Sequence, residues 1–175
     1  MAARKKGAAR AQFELMSPDI RPNGPIAMEQ VFNGFGCSGQ NISPALKWSG
    51  APADTRSFAL LVHDPDAPTG GAGWWHWVLV NIPASTTVLR KDAGRADGSN
   101  LPMVAAQINT DFRSPGWGSP CPPVGDKPHR YNFTLYALKV ERLDVSGATA
   151  SLAGYMVNAN AIGKARLTGK FGRKK

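Results

Sequence analysis

The sequence predicts a mostly β protein, an antiparallel β-sandwich with one or two short peripheral helices. Three observations carry that prediction. The chain holds 19 Gly and 14 Pro in 175 residues, and both residue types punctuate a chain rather than extend helices. Between the turns they mark lie apolar runs of strand length rich in β-branched and aromatic residues. A helical period shows convincingly in one late segment only.

Taken in order, "FELMSPDI" (13–20) reads as a first strand and "RPNGPI" (21–26) as a turn, by its Asn-Gly and flanking prolines. "RSFALLVHD" (56–64) is apolar on both faces, as an interior strand must be. "WWHWVLVNIP" (74–83) and "HRYNFTLYALKV" (129–140) are two more such runs. Residues 84–128 read mostly as loop, with short elements near Val88 and Val104–Ile108. Near 149–163, Leu152, Met156, Ala159 and Ile162 recur at helical spacing, with Gly163 as the stop. "ARLTGKFG" (165–172) is then a closing strand.

The length fits one domain with a core that needs no staples. Residues 13–172 form that domain, between a basic arm at 1–12 and a basic tail at 173–175. The net charge of +9 sits at the ends: residues 1–10 hold four Lys/Arg and 164–175 hold six, with no acid in either stretch. Removing those ten leaves 11 basic groups against 12 acidic ones. A neutral body does not fit a nucleic-acid reader, which needs a basic face. The polybasic ends can add only weak, salt-screened contact with an anionic membrane or a nucleic acid.

No apolar run is long enough to cross a membrane. "MAARKKGAAR" is not followed by the apolar stretch of an export signal, so a cytoplasmic location is expected. Cys37 and Cys121 form neither a metal motif nor a disulfide framework, and in that compartment both are expected as reduced thiols.

Alternation along strands points to a site. Phe58, Leu60 and Val62 share a side that runs into Asp64. His76 opens the side carrying Val78, Val80 and Ile82. His129 and Tyr131 open the side carrying Phe133, Leu135 and Ala137. Each stripe ends in a polar group, so the groups gather at one end of a common core. A lone Asp or His is ordinarily a turn acid or a satisfied core residue. Three strands ending alike beside two Gly/Pro loops is the stronger observation. In "DPDAPTGGAGWWHW" (64–77), Pro65 and Pro68 stiffen the loop, Gly70, Gly71 and Gly73 let it fold back, and Trp74 walls the side of His76. In the second loop, 117–131, Gly118 and Ser119 are placed to offer backbone N–H groups to an anion.

The motifs "DPDAPTGGAGWWHWVLVNIP" and "PPVGDKPHRYNFTLYAL", with "FNGFGCSGQNISPALKW" (32–48), resemble the phosphatidylethanolamine-binding, or Raf kinase inhibitor-like, family in its bacterial and archaeal branch. The likeness runs from about residue 13 to 172. It implies a Greek-key sandwich with a small anion-binding cavity at one end, no cofactor, and ligands such as lipid headgroups or phosphorylated side chains. By motif, Asp64, His76, His129 and Tyr131 match pocket residues, and Trp74, Pro122 and Pro123 match walls. The resemblance also implies a cis Ala67–Pro68 bond and admits a homodimer. Cys121 departs from it, standing where many relatives have a small residue, and offers a redox handle. The chain ends in "KFGRKK", so the closing C-terminal segment of the mammalian branch is not carried over.

The function expected is a binding protein for a small anionic or phosphorylated group. His76, His129 and Tyr131 donate to the anion, and Asp64 orients a histidine and favours its imidazolium. The rival is an acid–base enzyme acting on a phosphorylated or acyl compound, with Ser119 or Cys121 as nucleophile. A metal site from Asp64, Asp66, His76 and His129 matches no ligand spacing. A regulator whose pocket docks a phosphorylated protein partner would use the same site.

Overall fold

The computed structural model describes residues 12–175, so the basic arm at 1–12 lies almost wholly outside the described residues. Two antiparallel sheets face each other. The smaller has the order β1 (Glu14–Met16), β2 (Leu46–Ser49), β5 (Val88–Leu89). The larger has the order β6 (Ala106–Gln107), β4 (Trp74–Pro83), β3 (Ser57–Asp64), β7 (His129–Leu138), β8 (Ala161–Phe171). After β4 the chain crosses to the other sheet, and it returns to place β7 on the far side of β3. That return is the Greek-key connection the resemblance implied. The helix α1 (Ala150–Asn160) precedes β8.

The larger sheet is buried on both faces, which is why β3 reads as a continuous apolar run. Its inner face packs Phe58, Leu60, Val62, Trp77, Leu79, Phe133 and Leu135 against Leu15, Leu46 and Trp48 of the smaller sheet. Its outer face packs Ala59, Leu61, Val78, Val80 and Tyr136 against Ala153 and Val157 of α1.

Two features of β4 depart from simple alternation. His63 pairs with Trp75 and Val62 with Trp77, leaving His76 as the extra residue of a bulge. A second shift falls between Phe58–Ile82 and Leu60–Leu79, where Asn81 takes φ 59°. His76 therefore does not share a side with Val78 and Val80, which face outward, whereas Ile82 returns to the inner core.

The helix also turns a different face inward. Ala150, Ala153, Gly154 and Val157 are buried, while Leu152 is 50% exposed. Small residues let the helix approach the sheet: a Cβ on Gly154 would already touch Trp75 at 3.8 Å. Of the larger apolar residues at the expected spacing, Leu152 lies outside that contact and Ile162 belongs to β8, whereas Met156 packs, partly buried, against the same outer-face cluster. The helix starts at Thr149, whose hydroxyl accepts from the Leu152 N–H at 3.1 Å, and ends at Asn160 rather than Gly163. Strand β2 was not expected; four residues with alternate burial of Leu46 and Trp48 are too short to announce themselves.

Two expectations about covalent geometry are corrected. The described residues contain no cis peptide, so Ala67–Pro68 is trans. Cys37 and Cys121 are not free thiols but a disulfide joining residues 84 positions apart. Loop packing supplies what spacing could not show: the Phe32 N–H donates to the Pro120 carbonyl at 3.1 Å and draws the two loops together.

Candidate functional site: a cavity at the end of the larger sheet

The ends of β3, β4 and β7 meet at a cavity of about 260 Å³. The loop after β3 is set by its own polar groups. Asp64 Oδ1 accepts from the Asp66 N–H at 2.8 Å, closing a turn directly after the strand. Asp66 in turn holds Arg130 on β7, through its N–H at 2.8 Å, Nε at 3.0 Å and Nη2 at 2.8 Å. Those bonds bring the Asp66 carboxyl down to about 2. Gly73, at φ 70°, brings the loop back against β3, where a Cβ would lie 2.4 Å from the Asp64 carbonyl oxygen.

The opposite wall is held from three directions. Asn41 accepts from the Ser119 N–H at 3.1 Å and donates to the Trp117 carbonyl at 3.1 Å. The disulfide ties Cys121 to the loop carrying Phe35. Arg173 donates through Nε to the Pro122 carbonyl at 2.7 Å and through Nη1 to the Gly36 carbonyl at 3.4 Å. The C-terminal run thus pins both loops at the cavity mouth.

Of the ten residues read from the sequence, Asp64, Trp74, His76, Cys121, Pro122, Pro123, His129 and Tyr131 line this cavity. Gly118 and Ser119 do not, and their N–H groups are not free for an anion. Gly118 N–H donates to the His76 carbonyl at 2.9 Å, and Ser119 N–H is the one taken by Asn41. The two proposed nucleophiles are also removed, since the Ser119 side chain is fully buried outside the cavity and Cys121 is oxidised. Sequence reasoning missed Phe35, Ala67, Pro68, Thr69 and Phe112 as lining residues. Phe112 sits 5.3 Å from Trp74 and 5.6 Å from His76, ring to ring, yet comes from a loop with no local signal. Asp126 was missed as well, although "GDKPH" puts an acid three residues ahead of His129.

The two histidines are in opposite states. His129 Nδ1 bonds Asp64 Oδ2 at 2.7 Å and its Nε2 bonds Asp126 Oδ2 at 2.9 Å. Burial opposes its charge, but the two carboxylates outweigh burial and raise its pKa. This ring is an imidazolium with both N–H groups committed. His76 donates from Nδ1 to the Gly118 carbonyl, and burial pushes its pKa down to about 4. It is therefore a neutral ring whose Nε2 is an acceptor, which corrects the expectation that it donates. That Nε2 and the indole N–H of Trp74 are buried without a hydrogen-bond partner among the described residues. Tyr131, 5.1 Å from His76 ring to ring, is kept as a phenol: burial first, then the charges of Asp64 and Asp66, raise its pKa.

Antiparallel layers joined by a Greek-key return, with acid, imidazole and phenol groups at the closed end of the larger sheet, define a small-cavity β-sandwich class. The chain belongs to the phosphatidylethanolamine-binding protein family, whose sequence profile matches residues 16–172. It is 52% identical to Escherichia coli YbcL over 162 residues, covering 92% of this chain and 88% of YbcL. It is 43% identical to Escherichia coli YbhB over 160 residues, covering 91% of this chain and 99% of YbhB. The crystal structure of Escherichia coli YbcL, described as a new member of the mammalian PEBP family, superposes with a TM-score of 0.90 at 51% identity. That match covers 93% of this chain and 99% of that one. Membership makes the chain, in general terms, a ligand-binding or regulatory protein.

Proposed function

We propose that the cavity binds a small phosphate-bearing group in its singly protonated form. The observation that carries this reading is the pair of buried, unpartnered atoms in the cavity residues Trp74 and His76, one a donor and one an acceptor. A buried polar atom without a partner costs about 1–3 kcal/mol, so a ligand that satisfies both gains that much. A hydrogen phosphate or phosphomonoester offers oxygens that accept from Trp74 and Tyr131, and a P–OH that donates to His76 Nε2. The volume suits a headgroup-sized guest rather than a drug-sized one. Free phosphate, a lipid headgroup and a phosphorylated side chain of a protein partner share this chemistry.

The pH dependence follows from the two states. The second ionisation of a phosphomonoester, near about 6, removes the P–OH that His76 needs. His76 itself stays an acceptor above about 4. His129, the cation of the site, discharges as pH rises through its raised pKa. Both effects weaken binding at higher pH. Calorimetric titration with phosphate and with phosphoethanolamine is expected to give weaker binding at pH 8.5 than at 5.5, and equal affinity overturns the reading. Parallel titrations with a phosphoserine peptide and with phosphatidylethanolamine vesicles separate the sources.

A further inference from the structure

His129 is enclosed by two carboxylates that are held very differently. Asp64 is buried at the end of β3, fixed by the Asp66 N–H as well as by His129 Nδ1. Asp126 stands on the loop between Pro123 and Pro128, and its side chain is 38% exposed. That carboxylate takes one contact with a charged group, His129 Nε2. His129 is a shared wall: it borders the cavity on one side, and on the other an outer depression lined by Asp126, Lys127, Arg130 and Lys170. Of the other charged groups around it, Lys127 and Lys170 line the outer depression without an ion-pair partner among the described residues. Asp66 and Arg130 neutralise each other, and Tyr131 is stacked 6.5 Å away, ring to ring.

We infer that Asp126 is a resident counter-anion of His129, a specificity-determining residue that an incoming oxyanion must displace to reach the Nε2–H. The inference rests on the phosphate-group reading and deepens it. A simple carboxylate gains little by the exchange, because one monoanion replaces another on the same N–H and Asp126 is intramolecular. A phosphate group recovers the exchange through the additional bonds at Trp74, Tyr131 and His76. Asp126 thus sets a threshold that rejects monocarboxylates and lowers the affinity of everything admitted.

Calorimetric titration with inorganic phosphate and with acetate, on wild type and Asp126→Asn at pH 6.5, tests this. Removing a partly exposed competing charge should tighten phosphate binding about 3- to 10-fold and bring acetate into the measurable range. In the same variant the NMR titration midpoint of His129 moves down, because one of its two carboxylates is gone. Phosphate bound no more tightly by Asp126→Asn than by a wild type that does bind it overturns the inference alone. No phosphate bound by either protein overturns the phosphate reading and this inference together. Should the Asn variant fold poorly, Asp126→Ser carries the same comparison.

Discussion

At the scale of single residues, two histidines of one type are driven to opposite charge states by their neighbours. His76 receives one carbonyl and no carboxylate; His129 receives two carboxylates. The consequence for stability can be signed. Below pH about 6.5 the unfolded chain protonates the His76 ring, while the folded chain refuses that proton until about 4. Stability therefore falls as pH falls through this window, by about 3 kcal/mol in total. His129 acts the other way: its contribution is complete below pH about 6.5 and is lost as pH rises through its raised folded value. Urea unfolding between pH 4 and 7 is expected to show a shallower acid slope in His76→Asn, which keeps a donor for the Gly118 carbonyl. Parallel slopes in variant and wild type contradict the assignment.

At the scale of elements, β4 decides the site. Its sequence announced a strand with the right ends, yet strict alternation put His76 on the side of Val78 and Val80. One inserted residue reversed that relation, letting His76 and Trp77 both face inward. Such a bulge depends on cross-strand pairing and leaves no mark in one strand's own pattern. The second irregularity, at Asn81, is testable. Its side chain donates to the Leu143 carbonyl at 3.0 Å and accepts from the Leu143 N–H at 2.8 Å, while its backbone takes φ 59°. Asn81→Gly loses both bonds and keeps the backbone, at about 1–3 kcal/mol. Asn81→Ala adds about 1–2 kcal/mol of left-handed strain. Denaturant unfolding that ranks Ala at or above Gly contradicts this account. The helix teaches the same lesson, since Ala150, Ala153, Gly154 and Val157, rather than the face carrying Leu152, made the closest contact with the sheet.

At the scale of the whole molecule, the disulfide closes 84 residues of chain and joins two loops that wall the cavity. In the chain-entropy view, closing a loop of that size stabilises by about 4 kcal/mol. Cys37→Ser is expected to lower the denaturation free energy by that order and to increase hydrogen exchange at residues 34–37 and 121–124. An unchanged stability relative to the oxidised wild type contradicts it. Thiol trapping on freshly lysed cells reads whether the bridge exists where the protein resides, since such bridges persist in oxidising compartments. The basic C-terminal run also changes meaning at this scale. Lys164 and Arg166 lie exposed on β8, at the edge of the larger sheet, where charged side chains oppose pairing with another chain, while at Lys170 that edge is already covered by backbone bonds to Gly24 and Ile26. Arg173 braces the cavity mouth. The sequence by itself determined the sheet-rich architecture and the three long strands, because strand periodicity and turn chemistry are local properties; among the eight cavity residues, Pro122, Pro123 and Cys121 were pointed to by the family resemblance alone. Only the tertiary structure decided the bulge at His76, the acceptor role of its Nε2, the bridge between the cysteines and the pairing of Asp126 with His129. Each of those depends on which distant groups meet, and burial and charge act on a residue only after they have met.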